Sequence, residues 1–208
     1  GSGTLAINPD NGTNTFSSGI TVNEGILSVN PGITTGTPLG TGTITMNGAT
    51  MNLSKANGIF SAATSSGAKF KFSNMARLWP GTVSLTLGSS SASANSVLER
   101  VNYGTLYIDS TTLGGTAKVK VNGGVATSGG MTCLPIFALD SFLTYDETVG
   151  FTNVAYTTGV IGGASSIATV ETNTTLTSDA TVRALKIQVS AAYRNVVLTL
   201  LPSATLTV

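Results

Sequence analysis

A short phrase recurs in the first quarter of the chain: a glycine followed by residues that alternate between polar and aliphatic. Its copies occupy residues 3–7, 25–29 and 42–46, so that they begin 22 and then 17 residues apart. Spacings of this size are typical of one coil of a β-solenoid, in which successive repeats stack and share a core. We therefore expect the chain to be built from stacked short strands.

The strand rhythm continues beyond this block, and no segment has helical periodicity. Residues 1–54 form the clearest repeat block, residues 55–103 are less regular, and residues 104–208 return to the rhythm and end in a strand. The predicted strands lie at 3–8, 19–22, 25–29, 42–46, 49–53, 68–72, 83–87, 97–103, 104–108, 117–121, 182–187, 196–200 and 204–208. Turns are predicted at Asn11-Gly12, Asn30-Pro31-Gly32 and Asn47-Gly48. The predicted fold is an all-β solenoid that is less regular in its middle section.

One rung of such a fold cannot be stable alone. About 20 residues bury three or four aliphatic side chains at roughly 1.5 to 3 kcal/mol each, whereas ordering the backbone costs about 1 to 2 kcal/mol per residue. Neighbouring rungs must therefore supply the missing burial. Because residues 3–8 and 204–208 are predicted strands, we expect open ends that continue into further solenoid segments or self-associate.

Composition narrows the range of possible chemistry. Ten Lys and Arg balance nine Asp and Glu, for a net charge of +1, and neither sign is concentrated, so binding to nucleic acid is not expected. Histidine is absent and Cys133 is the single cysteine, which argues against Cys/His metal sites, His-based triads and internal disulfides. We expect Cys133 to be buried. No apolar run approaches the ~18 residues of a membrane span.

Four features need a choice between a functional and a structural interpretation. Lys69-Phe70-Lys71-Phe72 is interpreted as a strand with one wet face. Asp140, Asp146 and Glu147 could supply the paired carboxylates of a glycosidase, but acids in loops are usually solvated. Calcium is a related possibility, although the glycine and aspartate nonapeptide of calcium-binding β-rolls is absent. Trp79, Tyr103 and Tyr107 could stack on sugars but are interpreted as core or corner packing. We assign no catalytic residue, cofactor or metal ligand.

Three segments resemble the autotransporter-associated β-strand repeat: residues 1–5, 19–27 and 39–44. The C-terminal half is similar to the segment that follows such repeats in large surface proteins, through residues 134–137, 142–146, 182–187 and 206–208. This resemblance implies a right-handed single-stranded parallel β-helix in an exported or surface-displayed protein, which serves as a stalk, passenger or adhesive fibre.

These observations lead to one expected function and two alternatives. We expect a non-enzymatic structural segment of an extracellular or cell-surface β-solenoid protein. The first alternative is an adhesion or glycan-binding module that uses exposed aromatic side chains. The second is a polysaccharide-degrading β-helix enzyme built around Asp140, Asp146 or Glu147.

Overall fold

The computed structural model describes residues 2–8, 12–30, 32–158, 161–189 and 195–208, and all the regular structure in them is β-strand. These residues contain no helix that is long and apolar enough to cross a bilayer. The chain divides into two compact units, Gly1–Asn153 and Val154–Val208. The all-β prediction is confirmed.

The first unit is built from three sheets and one short hairpin. Sheet A contains β1 (Thr4–Ile7), β3 (Ile26–Val29), β6 (Thr50–Asn52), β9 (Met75–Trp79), β12 (Thr105–Ile108), β16 (Ile136–Ala138), β17 (Ser141–Asp146) and β18 (Gly150–Asn153). Sheet B contains β2 (Ile20–Val22), β5 (Ile44–Asn47), β8 (Phe70–Ser73) and β11 (Leu98–Arg100). Sheet C contains β4 (Thr35–Gly36), β7 (Ile59–Ala62), β10 (Ser84–Leu87) and β13 (Lys118–Val121). The hairpin pairs β14 (Thr127–Ser128) with β15 (Met131–Thr132).

From β2 to β13 the chain visits the sheets in one fixed order, B then A then C, and every pairing within these sheets is parallel up to β16. We call one such triplet of strands a rung. Ile20 pairs with Ile44, 24 residues further on, so a rung takes about that length here. Each strand therefore lies beside the corresponding strand of the next rung.

The register corrects one inference from the repeated phrase. The first two copies do lie side by side in sheet A, since Thr4 pairs with Ile26. The third copy is β5, which belongs to sheet B and pairs with β2, so the spacing of 17 residues does not measure a rung. Glycine followed by alternating residues describes strands on different faces equally well, and it cannot specify which face a strand joins.

The core consists of columns of inward side chains that run from rung to rung. In sheet A the inward column passes through Leu27, Met51 and Leu78, each fully buried. In sheet B, Ile44 pairs with Phe70 in the same way. Alternation places one face of each strand in these columns and the other face outward, which is the stacking that the sequence predicted.

Residues 55–103, expected to be less regular, contribute β7 to β11 to the same three sheets. Strands β7 and β9 were not predicted because each begins with a large apolar residue at an outward position. Ile59 of β7 is 66% exposed and Met75 of β9 is 72% exposed, so these segments show no alternation of hydrophobicity. Of the predicted turns, Gly48 has a φ of +68°, which glycine adopts freely; Asn11 and Pro31 lie outside the described residues.

The parallel pattern of the first unit ends in an antiparallel hairpin formed by β17 and β18. Phe151 of β18 is fully buried, and its ring meets that of Tyr145 edge to face with centroids 5.1 Å apart. The Tyr145 hydroxyl accepts a hydrogen bond from the backbone N–H of Val121 (2.8 Å) and donates one to its carbonyl (2.9 Å). The hairpin thereby satisfies backbone groups on β13 that a further parallel strand would otherwise use.

The second unit repeats the cyclic pattern in a smaller form. Its strands are β19 (Thr157–Thr158), β20 (Ile167–Val170), β21 (Thr174–Leu176), β22 (Ala180–Thr181), β23 (Ala184–Ile187), β24 (Leu198–Leu200) and β25 (Leu206–Thr207). Strand β20 pairs with β23, β21 with β24 and β22 with β25, all in parallel. Successive strands therefore again join three sheets in a fixed order.

Candidate functional site

Of the three acids that sequence analysis singled out, Asp140 and Asp146 are too far apart to form a carboxylate pair, and the exposed Glu147 follows Asp146 in the turn after β17. Asp140 and Asp146 stand at opposite ends of β17, six residues apart, which corresponds to about 20 Å in an extended strand. Glycoside hydrolysis requires two carboxyl groups within roughly 10 Å. Among the described residues, no group of three or more Cys, His, Asp or Glu side chains could hold a metal ion.

Asp146 stabilises the turn between β17 and β18. One of its carboxylate oxygens, Oδ1, accepts hydrogen bonds from the backbone N–H groups of Thr148 (2.8 Å) and Val149 (3.0 Å). These bonds favour the ionised form and lower the pKa of Asp146. The carboxylate therefore holds the turn of the hairpin.

The strand predicted for Lys69–Phe72 is present as β8, which begins at Phe70. Phe70 and Phe72 are fully buried, whereas Lys71 and Lys69, just before the strand, keep 34% and 41% of their side-chain surface exposed. Both ammonium groups bind the carboxylate of Glu99, with N to O distances of 2.7 and 3.0 Å, and hydrogen bonds to Lys69 and then to Lys71 are the main cause of the lowered Glu99 pKa. Since the lysines share one acid within their own sheet, this patch is a ladder contact between rungs.

The outward side of sheet A carries aromatic side chains on four neighbouring strands. Tyr107 of β12 is in register with Arg77 of β9 on one side and with Phe137 of β16 on the other. Phe137 is in turn paired with Phe142 of β17. Trp79 lies two residues after Arg77 on the same outward side of β9. Since strands are about 4.8 Å apart, β9 to β17 span about 14 Å.

These side chains are held by contacts with one another. The rings of Phe137 and Phe142 are tilted with centroids 5.7 Å apart. The guanidinium of Arg77 lies over the Trp79 ring, 5.3 Å from its centroid, and also forms an ion pair with Asp109. We call the set Arg77, Trp79, Tyr107, Asp109, Phe137 and Phe142 the aromatic face.

The aromatic face borders a groove of about 260 Å³. Phe137 and Phe142 contribute to its lining, together with Arg100 and Cys133. Arg100 donates hydrogen bonds to the carbonyl oxygens of Tyr103 (3.1 Å) and Gly104 (2.9 Å), which orients its guanidinium. Residues 131–135, which precede β16, also line the groove.

Two expectations about side-chain burial are wrong. Cys133 is exposed rather than buried, because the loop that carries it lies outside the strands that form the core. Tyr103 lies at a corner, but its ring is 90% exposed and rests against Arg100. Trp79 and Tyr107 also point away from the core, Trp79 with 38% of its surface exposed, so neither is a core filler.

Two of the four rings of the aromatic face were not recognised from the sequence. Trp79 and Tyr107 were considered as sugar-stacking residues, whereas Phe137 and Phe142 were not, because they fall in an aromatic segment with no clear period. Ile136 and Ala138 are buried on either side of Phe137, but all three residues are apolar, so the sequence shows no alternation here.

Comparison of the chain with models of protein families, with curated proteins and with solved structures finds no match.

Proposed function

We propose that this chain is a structural segment of an extracellular or cell-surface protein, built as a right-handed single-stranded parallel β-helix. In this role it acts as a stalk, passenger or fibre-building unit and has no catalytic activity. The observation that carries the proposal is the fixed cyclic order of parallel sheets in both units. Parallel crossover connections are right-handed in about 98% of cases, which supports the handedness.

The surface chemistry supports this role. Charged residues make up 9% of the chain, and outward positions between rungs carry hydroxyl and amide groups that bind one another. Ser73 donates to the side-chain oxygen of Asn47 (2.7 Å), and Asn74 donates to the same oxygen (2.7 Å). Such hydrogen-bond ladders stabilise the stacking of rungs without charged groups.

The N-terminal edge of sheet A supports contact with another solenoid segment. Leu5 of β1 occupies the inward column position, in register with the fully buried Leu27, yet its side chain is 64% exposed. Among the described residues β1 pairs only with β3, and an exposed apolar strand edge favours pairing with a further strand. We propose that this edge is covered by another solenoid segment or by a second copy of the chain.

Sedimentation velocity of the 208-residue chain over a range of concentrations tests this contact. We expect concentration-dependent association that Leu5→Asp reduces, because the carboxylate would lose hydration in the contact. Thr4→Asp is the matched control, since Thr4 is exposed on the outward side of the same strand. A monomer at every concentration, or equal loss of association in both variants, would contradict the proposal.

The exported location and the surface role rest on the resemblance to the autotransporter-associated repeat. They are tested by probing intact cells of the source organism with an antibody raised against the chain. Labelling of intact cells or of released material supports a surface location. Labelling only after the cells are permeabilised contradicts it. Electron micrographs of the native protein should show extended particles, and compact globular ones would count against a stalk or fibre.

A further inference from the structure

We infer that the aromatic face binds a neutral polysaccharide, whose chain runs across the strands of sheet A from Trp79 towards Phe142. The inference adds a ligand to the structural role proposed above and does not depend on it. Failure to bind a polysaccharide would leave the evidence for a solenoid segment unchanged.

The chemistry of the aromatic rings favours a sugar as the ligand. The face of an aromatic ring carries the negative lobe of its quadrupole, which attracts the weakly positive C–H hydrogens on the flat side of a sugar ring. Trp79, Tyr107, Phe137 and Phe142 place such rings on the outward side of four strands. Their span of about 14 Å exceeds the size of one sugar ring, so a chain of sugars can contact several of them.

The side chains of the aromatic face are held in place by their neighbours. The Phe137 and Phe142 rings pack against each other, and Arg77 packs over Trp79. The backbone beneath them is a hydrogen-bonded sheet with regular strand spacing. Binding therefore costs little additional ordering of side chains, and a regularly spaced surface suits a ligand that is itself a repeat.

The charge of the aromatic face favours a neutral ligand. Arg77 and Asp109 form an ion pair within the face, so these two charges compensate each other. Arg100, which lies outside the face, keeps its positive charge and donates hydrogen bonds to the carbonyls of Tyr103 and Gly104. The face thus offers hydrogen-bonding groups between its rings with no net charge of its own, which matches a neutral ligand rich in hydroxyl groups rather than an acidic polymer.

Trp79 provides a direct readout, because it is the only tryptophan in the chain. The experiment measures acrylamide quenching of its fluorescence during titration with soluble β-glucan, xylan and mannan. Polygalacturonate serves as the acidic polymer, and phosphatidylcholine vesicles serve as an apolar surface. We expect at least one neutral polysaccharide to protect Trp79 in a saturable way.

Variants then assign the binding to the face. Tyr107→Ala and Phe142→Ala should each weaken the apparent affinity by about fivefold or more. Tyr107→Leu should do the same, since it keeps an apolar side chain but removes the flat ring. Phe16→Ala is the control, because Phe16 is 46% exposed and lies outside the face. Circular dichroism checks that each variant retains its strand content.

Three results would overturn the inference. One is the absence of protection by every neutral polysaccharide in the panel. Another is protection by polygalacturonate or by the vesicles alone, which would assign the face to a different class of partner. The third is a neutral polysaccharide that protects Trp79 equally well in folded Tyr107→Ala, Tyr107→Leu and Phe16→Ala variants.

Discussion

The inward side chains at the two ends of the first unit differ in how far they are buried. At β1 the inward Leu5 is 64% exposed. At the other end Leu143 is 1% exposed and Phe151 is fully buried, both in the β17–β18 hairpin. The hairpin differs from the rungs before it because its strands pair in antiparallel orientation. An antiparallel turn-back therefore covers a core that parallel stacking alone leaves open.

The last rung of the second unit resembles the β1 end. Leu176 is 8% exposed, whereas its partner in the next rung, Leu200, is 43% exposed. Likewise Val170 is 2% exposed and its partner Ile187 is 53% exposed. In the part of the second unit that the structure describes, no antiparallel hairpin covers these positions. The comparison indicates that burial in this architecture comes from a neighbouring rung or from the hairpin.

The largest expected effect is at the covered end. Phe151→Ala should lower the free energy of unfolding of the first unit by about 3 to 5 kcal/mol, because it leaves a cavity where a fully buried ring packed. Urea denaturation followed by Trp79 fluorescence measures this, since Trp79 belongs to the same unit.

The matched change at the open end is Leu5→Ala. It should cost less than about 1 kcal/mol, because most of the Leu5 side chain is already in contact with solvent. If the two variants lose similar stability in the same assay, with the protein dilute enough to be monomeric, the contrast between the ends is not one of burial and the comparison fails.

The second effect separates the hydrogen bonds that the β17–β18 hairpin makes to β13 from the packing of the hairpin. Tyr145→Phe keeps the ring but removes the hydroxyl that bonds both backbone groups of Val121. We expect a loss of about 1 to 3 kcal/mol, because buried backbone groups left without partners are costly. Tyr103→Phe, at a ring that is 90% exposed, should leave stability unchanged; an equal loss in both would show that the bonds to Val121 contribute nothing.

The Tyr145 hydroxyl also makes the stability of the first unit depend on pH in the alkaline range. Burial raises the pKa of Tyr145 above its ordinary value, so the folded protein holds the phenolic proton more tightly than the unfolded chain. The stability linked to this group is complete below pH about 10 and is lost as pH rises through the folded pKa. Tyr145→Phe should not show this part of the alkaline loss. Parallel curves for the two proteins would be the contrary result.

Sequence reasoning predicted the parts of the fold that depend on alternation. The strand at 83–87 matches β10, whose Leu85 and Leu87 point inward and whose Ser84 and Thr86 point outward. Strand β9 was missed because Met75 and Trp79 place apolar side chains on the outward side. The hairpin was missed as well, since pairing direction depends on where a strand's partner lies and not on its own residues.

The candidate surface was harder to predict for a related reason. Tyr107 and Trp79 were recognised as aromatic residues, but their outward direction became clear only from the neighbours that are buried. Phe137 and Phe142 meet only because β17 folds back along β16. A surface assembled across strands depends on the register, and the register of rungs of unequal length cannot be derived from one sequence.

The smallest expected effect sharpens the comparison within the second unit. Thr169 of β20 is 2% exposed, and its hydroxyl oxygen has no hydrogen-bond partner among the described residues. A buried hydroxyl without a partner is destabilising, and valine has almost the same shape, so Thr169→Val should raise the free energy of unfolding of this unit by about 1 kcal/mol. Urea denaturation followed by far-ultraviolet circular dichroism measures the change. Thr199→Val is the control, since Thr199 is exposed on β24 and should shift stability by less than about 0.5 kcal/mol. A loss of stability in Thr169→Val would mean that the Thr169 hydroxyl forms a hydrogen bond in solution.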